Sequence, residues 1–214
     1  MALALREDDA ETLLAPFDDA RLNVLAIDAP INALARACAA GRGGADKILA
    51  VLEIGWESSV LVLSSSDLVL YQRRLPESGL GPLCREISSR FSLTNEATEL
   101  LVNNQQAAAP SVPQQGARWQ WIMQQIEQFA GALAAEVQAS LIYVGNCYPD
   151  RPVEKLLISG GGANLLGLCT VMKSKIGLPA SAVTKDDLAL ELGTGCEGAR
   201  LAIALGLARR EEGA

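Results

Sequence analysis

The sequence contains no histidine. A Ser-His-Asp triad, a Cys-His nucleophile, an imidazole-ligated metal and a histidine general base are therefore excluded, and much of hydrolase chemistry goes with them. Cysteine is sparse: Cys38, Cys84, Cys147, Cys169 and Cys196 lie 46, 63, 22 and 27 residues apart, an odd set with no CxxC. That spacing suggests neither a zinc site nor a disulfide framework, and buried free thiols are expected. No apolar run reaches the roughly 18 residues a membrane span needs. Arg6, Glu7, Asp8 and Asp9 interrupt the start of the chain, where a signal peptide would be apolar. The expectation is a cytoplasmic chain with no direct membrane insertion. Positive charge is also short, with 18 basic against 25 acidic residues and a net charge of −7. Such a balance repels phosphate backbones, so nucleic acid is not an expected partner.

What is present suits a globular α/β chain: 214 residues, half of them hydrophobic, a length that buries roughly 70% of its unfolded surface. Residues 10–22 have helical spacing, with Leu13, Leu14 and Phe17 apolar and Pro16 set to kink or end the helix. Arg21–Ile27 reads as a strand, and Asp28 as the cap of a helix from Ala29 or Pro30 to Ala40. Gly41-Arg-Gly-Gly44 then marks a junction. Lys47–Glu53, Val60–Ser64 and Leu68–Gln72 form a three-stranded meander. Helices follow over Pro82–Phe91 and, capped by Thr94, Asn95–Asn103, before a low-complexity stretch expected to be a mobile loop. Trp119, Ile122, Ile126, Phe129, Leu133, Val137 and Leu141 recur every three or four residues along a long helix, a stripe read as core in preference to a partner-binding face. Val153–Ser159 is a second buried-strand candidate that runs into Gly160-Gly-Gly162 and a helix from Asn164 or Leu165. After an irregular segment, an alanine-rich helix closes the chain over 197–209.

Two glycine turns carry the candidate chemistry. A strand ending in glycines and opening a helix aims backbone N–H groups and the helix dipole at one spot, which suits a phosphate or a ribose. Gly160, Gly161 and Gly162 match that pattern, and the same glycines equally serve a helix packed close against a sheet. In Glu53-Ile-Gly-Trp-Glu-Ser-Ser59 an acid at a strand end precedes Gly55, Ser58 and Ser59; it could hold magnesium through water or be a solvated turn acid.

In order and spacing these features resemble the PilM-like type IV pilus assembly proteins, in the superfamily of actin, heat-shock chaperones and sugar kinases. The matching pieces are the strand–helix at Asn23–Ala39 and Leu52-Glu-Ile-Gly55 in the place of the family's "DIG" turn. Tyr71-Gln-Arg73 through Gly79 follows the meander, and Asn95-Glu-Ala97 comes next. Leu156–Leu168 resembles the strand–GGG–helix, and Gly206-Leu-Ala-Arg209 the closing helix. The resemblance implies an α/β fold, the second half of an actin-like (ribonuclease H-like) ATPase, with a mixed sheet and an inserted helical lobe. Residues 1–45 would be a residual helix–strand–helix of the first subdomain, 46–75 and 146–214 the sheet subdomain, and 76–145 the inserted lobe with a mobile loop at 104–116. The implied cofactor-binding positions are Glu53, Gly55, Ser58, Ser59, Gly160, Gly161, Gly162 and Asn164, with no catalytic residue and no metal ligand.

The departures from the family pattern point away from nucleotide chemistry. Nothing before Ala10 can supply a first phosphate-binding hairpin. Glu53 replaces the family's aspartate, and Trp56 and Glu57 stand where phosphates would approach. An unpaired carboxylate at 4–5 Å costs about 1 kcal/mol per phosphate charge even in water. ATP with magnesium is the cofactor that the resemblance implies, and these residues argue against it, so none is expected. The first reading is thus a scaffold at the cytoplasmic face of the inner membrane, holding the tail of a membrane-anchored, PilN-like assembly protein. In full-length relatives the groove for that tail lies largely in the half this chain does not match. The alternative is a nucleotide-binding ATPase or small-molecule kinase of the same superfamily. Residues 11–40 are expected to contact a partner or a second copy, or else to fold back on their own sheet.

Overall fold

The most continuous apolar run, Ile48-Leu-Ala-Val-Leu52, becomes the middle strand of the sheet, where a strand must be covered on both faces. The computed structural model describes residues 4–41, 44, 46–65, 68–103, 116–189 and 198–210. Within them the elements are α1 (Glu7–Asp19), α2 (Pro30–Ala37), a 3₁₀ turn (Ala39–Gly41), β1 (Ile48–Ile54), β2 (Ser58–Ser65) and β3 (Leu68–Pro76). They continue with α3 (Leu80–Phe91), α4 (Asn95–Asn103), α5 (Ala117–Cys147), β4 (Val153–Ser159), α6 (Leu168–Ile176), β5 (Ala180–Ala182) and α7 (Gly198–Ala208).

The sheet is mixed, in the order β3-β2-β1-β4-β5. β1, β2 and β3 form the antiparallel meander, with Val51 opposite Val62 and Val62 opposite Gln72. β4 runs parallel to β1, with Leu157 opposite Val51, and β5 runs parallel to β4. Every β1 residue except Glu53 is buried, so both faces of the sheet are covered. Two helix pairs supply that cover: α2 with α7, which also reach β2, β3 and β4, and α5 with α6, which reach β3 and β5. The α5 stripe packs as core: Ile122, Ile126, Leu133 and Val137 are buried, and Trp119, Phe129 and Leu141 pack against them. The thiols of Cys38 and Cys84 are free and buried, which pushes them up to about 12 and about 11.

Several boundaries differ from the sequence reading for local reasons. Arg21 sits in a turn at φ +56°, and residues 22–27 form no regular structure and join no strand of the described sheet, whose edges are β3 and β5. The cap of α2 is Ala29, not Asp28. The Asp28 carboxylate instead accepts the Ala29 N–H and pairs with Arg36 in the last turn of the helix. Burial pushes that carboxyl up, and hydrogen bonds from Arg36, Ala29 and Asn32 outweigh the burial and hold it below its ordinary range. Pro16 does not end α1; the helix runs on to Asp19, and the Ala20 N–H donates to the Pro16 carbonyl. β5 lies where the sequence reads as irregular, since Ala-Ser-Ala carries almost no strand propensity of its own. Thr94 does cap α4, accepting the Ala97 N–H at 3.1 Å. The loop expected at 104–116 lies outside the described residues apart from Gly116.

The α2–α7 contact depends on one small residue. A Cβ at Gly206 would overlap the Ala33 main chain, so the two helix backbones touch there. Gly206→Ala is expected to destabilise the fold by about 1–3 kcal/mol through overpacking. Thermal unfolding followed by circular dichroism should show Tm falling by about 2–4 °C for each kcal/mol lost.

Candidate functional site

β1 and β4 are adjacent and parallel with Glu53 opposite Ser159, so the turns after them leave the same end of the sheet. The carboxyl ends of neighbouring parallel strands are where open α/β sheets place ligands. Glu53, Gly55 and Gly160 meet there: a Cβ on Gly160 would stand 2.8 Å from Glu53 Oε1, and one on Gly55 would stand 3.4 Å from it. Glu53 is thus a half-buried strand acid and not a solvated turn acid. Burial raises its carboxyl above the ordinary range. It makes no hydrogen bond or ion pair among the described residues.

The glycine turn does not open directly into a helix. Residues 160–167 are turn, and α6 starts at Leu168 behind a left-handed Gly167. The strand-glycine-helix expectation is corrected accordingly: the dipole end of α6 stands eight residues beyond Gly160. The N–H groups of the turn are largely occupied. Gly160 donates to the Ala199 carbonyl at 2.9 Å, Gly162 to Ile54 at 3.1 Å and Ala163 to Gly160 at 3.2 Å. Gly160 (φ +85°) and Gly162 both lie against Ile54, Gly162 so closely that a Cβ would overlap the Ile54 side chain. Around Gly161 nothing lies within 4 Å of a Cβ position. Its carbonyl accepts Asn103 Nδ2 at 3.2 Å, and the Leu166 N–H donates to Val102, so the end of α4 clasps the turn.

The remaining predicted positions do not converge on Glu53. Ser59 is fully buried, and its Oγ donates to the Ser78 carbonyl. Ser58 is half-buried and accepts Arg74 Nε at 3.3 Å. Asn164 is exposed on a separate depression of about 350 Å³, which Asn103, Leu166, Cys169 and Thr170 also line. Glu57 is not the unpaired charge the sequence implies, because Arg85 on α3 meets it with two contacts of 3.3 and 3.4 Å. The Trp56 indole packs over Gly81, whose N–H donates to the Trp56 carbonyl at 2.7 Å. Arg85 and Asn103 were missed because their partners lie 28 and 58 residues away, beyond any local motif. Among the described residues no group of three acidic or cysteine side chains is placed to hold a metal.

A second surface stands out by exposure. α1 buries none of its residues, and Leu13, Phe17, Leu22, Leu25 and Ile27 are 45–75% exposed. α2, by contrast, is internal, with Ile31, Ala33, Leu34, Ala35 and Ala37 buried. Of residues 11–40, expected either to contact a partner or to fold back on their own sheet, α2 lies against β2 and β3 while the part before it stays exposed.

A family model described as type IV pilus assembly protein PilM matches residues 1–211. The chain belongs to the PilM family. No curated protein matches the sequence. Among solved structures, the PilM-PilN type IV pilus biogenesis complex is similar with a TM-score of 0.72 and 24% identity over 95% of this chain and 57% of that one. Ethanolamine utilization protein EutJ from Carboxydothermus hydrogenoformans follows with 0.66 and 16% over 96% and 62%. MreB5 of Spiroplasma citri bound to AMPPNP has a TM-score of 0.63 and 11% identity over 96% and 64%. These likenesses establish an actin-like fold. The chain spans 57–64% of the length of the three structures it matches.

Two outcomes check the geometry of the turn. Gly162→Ala should cost about 1–3 kcal/mol by forcing a methyl into Ile54, whereas Gly161→Ala should stay within about 0.5 kcal/mol of wild type; urea titration distinguishes them. For Glu53, the folded state holds the proton more tightly than the unfolded chain. Its contribution to stability is therefore full at low pH and is lost as pH rises from the ordinary carboxylate range through the raised folded value. Unfolding midpoints measured from pH 4 to 7 should show this decline in wild type, and Glu53→Gln should flatten it and be the more stable protein at neutral pH.

Proposed function

We propose that this PilM-family chain is a non-catalytic, actin-like scaffold at the cytoplasmic face of the inner membrane, where it docks the cytoplasmic tail of a membrane-anchored pilus-assembly protein. The observation that carries this reading is the glycine turn. The Gly160, Gly162 and Ala163 N–H groups are donated to Ala199, Ile54 and Gly160, and the space beside Gly162 is filled by Ile54. A nucleoside triphosphate with magnesium fits such a turn poorly: the Gly160, Gly162 and Ala163 donors are already used, and burial disfavours the charged form of the nearest acid, Glu53. Family membership supports the assembly role. A similar solved structure is a complex of a PilM with a PilN, which makes a tail of that kind the partner to test. No helix among the described residues is long and apolar enough to cross a membrane, so attachment would come through the partner.

Isothermal titration of the purified chain tests both parts. The cytoplasmic tail of its PilN-like partner should bind with the same affinity in the presence and absence of Mg-ATP, and Mg-ATP alone should give neither a saturable isotherm nor phosphate release. ATP turnover that Glu53→Ala abolishes would establish the nucleotide-dependent alternative, and failure of the tail to bind would remove the scaffold role.

A further inference from the structure

Where the end of α3 meets the start of α5, each helix lends an arginine to the other's aromatic ring. The Arg90 guanidinium of α3 lies over the Trp121 ring of α5, 4.7 Å from its centre, and the Arg118 guanidinium of α5 lies over the Phe91 ring of α3 at 6.0 Å. The two rings meet edge to face, with centroids 5.5 Å apart at 78°. Phe91 and Trp121 are half-buried against the core, and both arginines are exposed. Arg36, Arg73, Arg85 and Arg200 each meet an acid. Arg90 and Arg118 meet none among the described residues, and Glu86, one turn before Arg90 on α3, makes no ion pair with it.

We propose that Arg90 and Arg118 form a phosphate-binding site. It involves none of the residues at the glycine turn and does not depend on the scaffold reading. A guanidinium laid on a ring face keeps its fork of N–H donors ordered and free, and that fork matches the oxygens of an oxyanion. Arg118 also breaks a local rule: it stands in the first turn of α5, where the helix dipole disfavours a cation, and no acid stands in that turn to answer it. A side chain placed against local preference without a compensating contact marks a functional position. The charge selects the occupant. A carboxylate carries one charge and is matched by one fork, whereas a phosphate has oxygens and charge enough to engage two. On a chain of net charge −7, two uncompensated guanidiniums on one aromatic pair give such an anion a local point of attachment. The phosphate comes either free in solution or as the headgroup of an anionic lipid in the cytoplasmic leaflet.

The full chain is titrated with inorganic phosphate at constant ionic strength, made up with chloride, and the indole N–H signals are followed by proton–nitrogen NMR. The Trp121 signal should move saturably while that of Trp56, packed over Gly81, stays in place; acetate at the same concentrations should move neither. In parallel, the chain is sedimented with vesicles of phosphatidylcholine, with and without phosphatidylglycerol. Arg90→Gln and Arg118→Gln should each weaken binding about tenfold, the loss of one charged hydrogen-bonding group, and the double variant should abolish it. Arg90→Lys keeps the charge without the stacked fork and should also weaken it. Glu86→Gln removes the carboxylate one turn before Arg90 and should tighten it. That variant and the acetate comparison read the site in folded protein even if loss of both arginines lowers Tm. Arginine-dependent binding of phosphate without vesicle binding assigns the site to a soluble ligand. Arginine-dependent binding to the phosphatidylglycerol vesicles alone assigns it to a lipid headgroup. An equal response to acetate, equal binding to pure phosphatidylcholine, unchanged binding in the double variant, or no binding of either probe would each overturn the proposal.

Discussion

The seam between α2 and α7 is the constraint from which the rest of the arrangement follows. Because Gly206 has no side chain, α7 can lie against the Ala33 main chain, and that approach sets where both ends of α7 arrive. At the C-terminal end, Arg36 Nε donates to the Gly206 carbonyl at 3.1 Å while its Nη2 pairs with Asp28. Arg209 and Arg210 return to the carbonyls of Ala37 and Ile27. At the other end, the Ala199 carbonyl accepts both the Gly160 N–H and Ser159 Oγ at 2.9 Å. One helix therefore ties the segment before α2 to the glycine turn after β4. Each of these bonds is worth about 0.5–1.5 kcal/mol, but together they remove the freedom of two loops at once.

The same geometry explains why the glycine turn is a structural joint. Ile54 ends β1 and projects into the turn that ends β4, so the two parallel strands close against each other through a side chain where a ligand-binding turn would leave a gap. Glu53, one residue earlier, is left half-buried beside Gly160 with no cation to meet it among the described residues. Its carboxyl, pushed by burial above the ordinary range, carries the cost of that closure, a burial without compensation.

The elements with strong local signals were legible before the structure. The meander from β1 to β3, the β4 strand and the α5 stripe are long periodic runs in which pattern and burial agree, and Thr94 caps α4 by purely local chemistry. The family resemblance rests on those same runs and their order. What escaped was set by distant contacts. Residues 21–27 have strand composition but no neighbouring strand among the described residues, Asp28 prefers the guanidinium of Arg36 to a capping role, and β5 is a strand only because β4 is beside it. At the candidate site, the proximity of Glu53, Gly55 and Gly160 was implied by the paired turns, whereas Ser58, Ser59 and Asn164 face elsewhere. Glycine alone could not reveal whether a ligand or Ile54 fills the space beside it.

β3 is an open edge of the sheet, and its side chains govern how that edge meets other molecules. Arg73 is held by Glu136 and Ser140 on α5, and Arg74 by Ser58 on β2. Pro76 closes the strand with no N–H to offer. An incoming strand would have to strip two guanidinium groups from their partners and then end against a proline, which is how natural sheets discourage edge-to-edge growth. The protein can therefore reach high local concentration without its sheets fusing into aggregates along β3.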